Sequence, residues 1–583
     1  MLDYNSDRDL YRIGLENFQK IEHITTILDT QLTSLHNIPS LTPARYSILN
    51  LKFLIDSLWC FIHGLKTIIE SENPDSICIY SSQFKLSDPG VYVFSNDESL
   101  YAELLNLPGW PLPCKVIRKT NRERPKMDLI SGSSTKGELK KYEFLFNMGL
   151  IQKRGGINGV SSAFYNYITS LHRKPVLIYN NGYNWDDSLD ELYKKGLLPV
   201  HRITDDIFES DGSAIKKYQE YVREICNTEA EFEEYKHILG IDVSSIFFER
   251  MSQIVGKSIE ESIHAYNFTE KFLRKKRIQC LLHSTRNSAA GHAIVQASRD
   301  AGIPVISWQH GGAGYCYHPL MPYIEFINSD LHLVFGDAVA DSFRETAKRL
   351  HLEKVPRFVS VGSSSLDSYS KMLKKIPQEI SNAPLVYVTT NYLLNNPIIS
   401  LPCEYCIWDE KLWSIQKKII NIAAKFPEKE FIIKLHPVHT DKEPLKSYAS
   451  DRNVKNLKII SSEIPLSELC KSASVMVFDL ISTGILQTLT SEIPVIVYTG
   501  LHDIDQDALT LLKKRAYLEN DPNMFGDTIE KFLIDKFTLN DTIDCTNKEF
   551  LLKYGTDLAT CDSAEVASIL VKNAIEQRQP KAG

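Results

Sequence analysis

Apolar and polar positions divide this chain into stretches of two different periods. Residues 8–70 carry apolar side chains at three-to-four spacing, interrupted at Pro39 and Pro43, and this predicts helices. Short β-branched apolar runs follow at 76–80, 90–94, 175–179, 279–282, 304–308 and 331–335, mostly separated by polar, helix-like stretches. Strands alternating with helices predict a mainly parallel sheet covered on both faces. Residues 120–141 read as a mobile polar loop, and residues 204–275, with Glu, Lys and Tyr at helical spacing, as a helical insertion.

A second series begins with strands at 357–361, 385–389, 431–435, 457–460, 475–478 and 494–498, with helices over 408–426 and 467–472. The linker between the two series falls around 345–357. The expected division is therefore a first domain over 1–350, a second over 351–545, and a helical segment over 546–583. In that segment the amphipathic run 562–578 opens on Asp562-Ser563 as a cap and is expected to pack back across the first domain. The fold class expected is α/β: two doubly wound, Rossmann-like domains facing a cleft, the carboxyl ends of both sets of strands lining it.

At 583 residues the chain is too long for one core, and 43% hydrophobic against 24% charged residues is the balance of a soluble globular protein. A net charge of −7 argues against a nucleic-acid partner. The basic run at 272–277 reads as a solvated helix end. Eleven cysteines scatter without a framework, which fits a reducing compartment. The pair Cys403 and Cys406 lacks the second pair or flanking His that a zinc site needs. The N-terminus is polar and charged, unlike a secretory signal, and the apolar run 53–65 is broken by Asp56 and His63 and reads as a core helix. A cytoplasmic protein is expected.

Three strand ends carry the chemistry. The run 303–315, IPVISWQHGGAGY, delivers Gln309 and His310 to the sheet edge and then places Gly311, Gly312 and Gly314 where backbone can approach a ligand. The strand over 431–435 ends in Lys434 and His436, donors suited to an anion, with Pro437 fixing the exit of the chain. The strand over 475–478 turns through Asp479 into a helix opening at Ser482-Thr483, whose hydroxyls and free amides suit a phosphate. Arg286, after the strand at 279–282, offers a planar fork suited to a carboxylate. Asp503 and Asp505 form a D-x-D in an expected surface loop, and no metal is expected.

HG after a strand, then K-x-H-P, then D-x-x-S-T before a helix and P-V-I, resembles the GT-B glycosyltransferases of bacterial surface polysaccharides. The similarity is to the capsule-type group, which includes polysialyl- and Kdo-type transferases. The CDP-glycerol glycerophosphotransferases are similar in outline. Val361 to Asp367, VGSSSLD, likewise resembles the V-G-[SN]-x-x-x-D element entering the second domain of that family. The resemblance spans roughly residues 280–500.

It implies that His310 faces the acceptor, as general base or as ligand to the transferred group, with Gln309, Gly311, Gly312 and Arg286 as acceptor or sugar contacts. It implies that Lys434, Asp479, Ser482 and Thr483 serve the donor phosphate and that His436 stabilises or protonates the leaving oxygen. Where many relatives place a ribose-binding Glu, this chain has Gln487. The implied substrate is a nucleotide sugar, CMP-linked by preference and CDP or UDP as alternatives, with no separate cofactor. The implied acceptor is a glycan or glycolipid, with peripheral contact at the inner membrane face. A glycerophosphotransferase, a nucleotide-sugar 2-epimerase and a non-catalytic sugar-nucleotide binding protein are the competing functions on the same architecture.

Overall fold

The computed structural model describes residues 7–82, 103–112, 114–119, 173–180, 183–203, 214–373, 383–390, 408–436, 444–461, 463–501, 503–534 and 543–577. The expected strand at 90–94, the loop at 120–141 and the pair Cys403 and Cys406 lie outside them.

Two six-stranded parallel sheets organise the chain. A separate parallel pair, β1 (Ile77–Ser82) and β2 (Cys114–Lys119), precedes them. The first sheet contains β3 (Lys174–Tyr179), β4 (Leu197–Ile203), β7 (Cys280–His283), β8 (Val305–Trp308), β9 (Leu331–Val334) and β10 (Arg357–Ser360). Its order is β10-β9-β8-β7-β3-β4, so the direction of winding reverses between β3 and β7. The second contains β11 (Leu385–Val388), β12 (Phe431–Lys434), β13 (Leu457–Ile460), β14 (Val475–Phe478), β15 (Val495–Tyr498) and β16 (Tyr517–Glu519). Its order, β13-β12-β11-β14-β15-β16, is that of a dinucleotide-binding sheet and reverses between β11 and β14. Every residue of β7, β8, β9, β12, β14 and β15 is buried, as strands covered on both faces must be.

The strand at 357–361 was expected to open the second domain. Instead Arg357–Ser360 pairs in parallel with β9 and closes the first sheet. The connection between sheets therefore falls after the helix Ser364–Leu373, later than residue 350. The run looked like a new series because a β-strand and a helix alternate on both sides of it. Of the expected insertion at 204–275, the described residues from 214 on are mainly helical, in Ile215–Thr228 and Ser244–Lys276. Between them stands a hairpin of β5 (His237–Ile238) and β6 (Ile241–Asp242), turned at Leu239 and Gly240 with φ of 50° and 80°.

One apolar cluster passes from Trp185, Trp308 and Leu333 in the first domain through Leu366 to Phe478 and Val497 in the second, so the domains share a core. Trp185 and Trp308 meet edge to face at 4.9 Å. The helices Asp7–His36 and Ile48–Glu72 pack with Ser244–Lys276 around their own cluster. Ile48–Glu72 is long and apolar enough to cross a membrane by length and composition. In the fold its Lys52 and Asp56 are fully buried as an ion pair, and Asn17 Nδ2 donates to Asp56 at 2.9 Å. The last helix, Ser563–Glu576, returns to the first domain through Lys195–Glu565 at 2.7 Å and Lys174–Glu576 at 3.1 Å.

Candidate functional site

Gln309 and His310 leave the carboxyl end of β8 in opposite roles. Gln309 is fully buried and uses both ends of its amide: Oε1 accepts from the Phe335 amide at 2.9 Å and Nε2 donates to the Gly311 carbonyl at 2.7 Å. Its own carbonyl accepts from Asn184 Nδ2 at 2.9 Å. These bonds fold the loop rather than face a ligand. His310 points outward with its side chain 36% exposed, and its ring lies 5.7 Å from that of Tyr183.

Behind His310 stands a residue that the sequence patterns did not single out. Glu325 lies on a single π-helical turn, Pro322–Phe326, and is completely buried. Its Oε1 is 2.5 Å from His310 Nδ1, and its Oε2 is 3.5 Å from His332 Nε2. His332 Nδ1 pairs with Ser307 Oγ at 2.7 Å. With Glu325 on Nδ1, the neutral imidazole carries its proton there and Nε2 becomes the basic nitrogen. Burial alone lowers the His310 pKa, but the charge and hydrogen bond of Glu325 outweigh it and the imidazole titrates above its ordinary range. Burial pushes Glu325 upward, while His310 and His332 pull it down further, to about 2. The available signal for Glu325 was chemical: a histidine needs an orienting acceptor, and a π turn often marks a functional position.

The second domain supplies the facing wall. Asp479 follows β14 at the reversal point, fully buried, and accepts from Tyr387 Oη at 2.6 Å, Thr389 Oγ1 at 2.6 Å and the Thr390 amide at 2.8 Å. Burial raises its pKa to about 6 against these donors. The Thr389 amide in turn donates to the Lys434 carbonyl at 3.1 Å, tying the ends of β11, β12 and β14 together. Lys434 is nearly buried, donates to the Ser461 carbonyl, and has its pKa lowered by burial, with Glu463 opposing. His436 is half-buried just beyond β12.

Ser482, in extended conformation, precedes the helix Thr483–Leu489, and Gln487 lies half-buried on that helix. The Gly312 amide donates to Thr483 Oγ1 at 2.9 Å. Tyr315 Oη donates to the Ile481 carbonyl at 2.8 Å, and the Asp505 amide to the Tyr315 carbonyl at 2.9 Å. The structure therefore brings the glycine loop after His310 against the Ser482-Thr483 turn. It places the D-x-D backbone beside Tyr315. Arg286 stands apart from that contact, buried after β7, with its amide donating to the Ile324 carbonyl at 2.9 Å. Among the described residues, no three His, Cys, Asp or Glu side chains are grouped to hold a metal ion.

The arrangement sets a histidine backed by a buried carboxylate on one domain and a helix start with two hydroxyls on the other, joined through Gly312 and Thr483. Three solved structures with related folds each align with about seven-tenths of this chain. They are the UDP-GlcNAc 2-epimerase from Neisseria meningitidis bound to UDP-GlcNAc (13% identity, 69% of this chain, 100% of that one, TM-score 0.41), a glycosyltransferase from Rickettsia africae (11%, 70% and 99%, 0.40) and Acinetobacter baumannii MurG (9%, 69% and 99%, 0.36). No curated protein sequence matches significantly. The family profile described as "LIC12162 family transferase" matches residues 162–514, more than half of the sequence, and the chain belongs to that family of transferases.

Proposed function

We propose that this transferase moves a sugar from a nucleotide donor to a hydroxyl of a glycan or glycoconjugate. The observation that supports the proposal is the contact between the loop that carries His310, backed by Glu325, and the Ser482-Thr483 turn. In this reaction His310 Nε2 takes the proton of the acceptor hydroxyl. That oxygen forms a bond to the anomeric carbon as the bond from carbon to the phosphate oxygen breaks. Glu325 fixes the imidazole and stabilises the imidazolium that results. Lys434 and the hydroxyls of Ser482 and Thr483 take the charge left on the nucleotide phosphate, and His436 stabilises or protonates the leaving oxygen. Thr483 Oγ1 accepts from Gly312 and keeps its own proton to donate. Gln487 is one turn along the same helix, where it suits a ribose hydroxyl.

A thermal-shift series with CMP, CDP, UDP and GDP tests the proposal. Stabilisation by CMP favours an acidic sugar donor, and the resemblance of the strand-end motifs to polysialyl- and Kdo-type transferases makes this the expected result. Stabilisation by CDP favours transfer of glycerol phosphate, and by UDP a neutral sugar donor or epimerisation. A chain that responds to none of the four is not a nucleotide-dependent transferase.

A further inference from the structure

The loop after β7 holds a buried charge that the proposed transfer step does not use. It sits where the first sheet reverses, between β3 and β7. Arg286 is 1% exposed there, and none of its three guanidinium nitrogens has a hydrogen-bond partner among the described residues. A guanidinium removed from water without an anion is strongly unfavourable, so buried arginines are normally paired.

Its surroundings are largely polar, and among the described residues no carboxylate is hydrogen-bonded to it. His283 at the end of β7 is fully buried, its Nε2 3.2 Å from Ser329 Oγ. His292 stacks on Tyr46 at 5.0 Å. Tyr179, the last residue of β3, has its hydroxyl 3.3 Å from Ser288 Oγ. Ser288 caps the twelve-residue helix Ala289–Asp300 by accepting from the Gly291 amide at 3.0 Å. Among the described residues Tyr46, Tyr179 and Arg299 act on Arg286 most, and its own charge acts on His283, His292 and His332. Burial first, and the Arg286 charge second, keep His283 and His292 below their ordinary range. Arg286 therefore stands just before the helix Ala289–Asp300 as a buried guanidinium without a hydrogen-bond partner among the described residues.

We propose that the buried Arg286 guanidinium binds an oxyanion, a sugar carboxylate or a phosphate, as its missing partner. The planar fork suits either group, gripping two oxygens at once. The Arg286 amide donates to the Ile324 carbonyl, so the loop that carries Arg286 is tied to the π turn that holds Glu325. That the anion belongs to the sugar donor or acceptor rests on the transferase function proposed above. Anion binding itself does not.

The test uses the full chain, titrated by calorimetry and thermal shift with glucuronate, inorganic phosphate and, as a neutral control, glucose. The melting temperature is expected to rise with glucuronate or phosphate and not with glucose. Affinity is expected to fall about ten-fold or more in Arg286→Met and to return in part in Arg286→Lys. Unliganded Arg286→Met is expected to melt at or above the wild-type temperature, because it removes an unpaired buried charge at similar volume. A response to glucuronate assigns a sugar carboxylate, and a response to phosphate alone assigns a phosphate. Wild type indifferent to both anions, or an unliganded Arg286→Met that melts far below wild type, overturns the proposal. Nucleotide titrations on the same protein are read separately. A chain that binds nucleotide but neither oxyanion loses the Arg286 site alone, whereas one that binds oxyanions but no nucleotide loses only the glycosyl-transfer function.

Discussion

The amide of Gly312 and the hydroxyl of Thr483 are joined at 2.9 Å across 171 residues of sequence, and this bond sets the spacing between the two walls of the site. Gly311 and Gly312 leave room for this approach. A Cβ on Gly311 would stand 2.6 Å from Thr483 Oγ1, and one on Gly312 would stand 3.2 Å from the Thr483 amide. The loop approaches the second domain closely because it has no side chains there. His310 is carried on the same loop, so its distance from the Ser482-Thr483 turn depends on that approach.

Gly311→Ala is expected to separate the walls without unfolding either domain. Overpacking of this kind costs about 1–3 kcal/mol, and here the strain can be relieved by a small opening of the cleft. The expected outcome is a fall of roughly ten-fold or more in kcat/KM with a melting temperature lowered by only a few degrees. Full activity in Gly311→Ala would show that turnover does not require the contact. Thr483→Val removes the acceptor instead and leaves the Gly312 amide unpaired, at a cost of about 1–3 kcal/mol.

Glu325→Gln keeps the shape of the π turn but removes the charge that raises the His310 pKa. Only neutral His310 can accept a proton, so the acidic limb of kcat/KM against pH reports its titration. In wild type that limb is expected above the ordinary histidine range, and in Glu325→Gln it should move to lower pH, with kcat reduced roughly 10²-fold or more. The linkage to stability has the opposite sign. The His310–Glu325 attraction is fully present below the unfolded histidine pKa of about 6.5 and is lost as pH rises through the higher folded value. An unmoved acidic limb in Glu325→Gln would remove His310 from the role of base.

Asp479 makes a pH prediction of the other kind. Burial raises its pKa to about 6, so the folded chain holds the proton more tightly than the unfolded chain does. Stability from this group therefore increases as pH falls from about 6 toward the unfolded value near 4, and is lost as pH rises through 6. Asp479→Asn should flatten that segment of the melting-temperature profile. Asp479→Ala strands Tyr387, Thr389 and the Thr390 amide, each at about 1–3 kcal/mol, and should also weaken nucleotide binding by loosening the reversal point.

Much of this was legible because parallel strands buried on both faces must be continuous apolar runs, and because such strands end where ligands bind. The positions of His310, Lys434 and Asp479 at strand ends follow from that pattern alone. Glu325 escaped because its role depends on a turn of unusual period that folds it back under His310, fifteen residues away. Gln309 looked like a ligand contact because it is polar beside a histidine, whereas its amide is consumed by Phe335 and Gly311. The change of domain was misplaced because β10 has the same local signature whichever sheet it joins. Pairing between strands is non-local, and apolar periodicity does not encode it.

Asp367 separates fold maintenance from chemistry in the element VGSSSLD. It is buried, with Oδ1 accepting from Thr556 Oγ1 at 2.6 Å and Oδ2 from the Ser563 amide at 3.0 Å. Gly362 beside it has φ of +83°, and a Cβ there would run into Ser563 and Thr556. The element therefore receives the returning C-terminal segment and fixes the start of the helix Ser563–Glu576, which then packs on the first domain. Asp367→Ala leaves two buried donors unsatisfied and is expected to cost about 2–5 kcal/mol. Gly362→Ala adds backbone strain and a steric clash and should be destabilising by a comparable amount. Both variants should melt several degrees lower while the folded fraction, assayed well below the transition, keeps nearly wild-type KM for donor. If instead Asp367→Ala raised that KM ten-fold or so at unchanged stability, the element would belong to the donor site and not to the clasp that joins the domains.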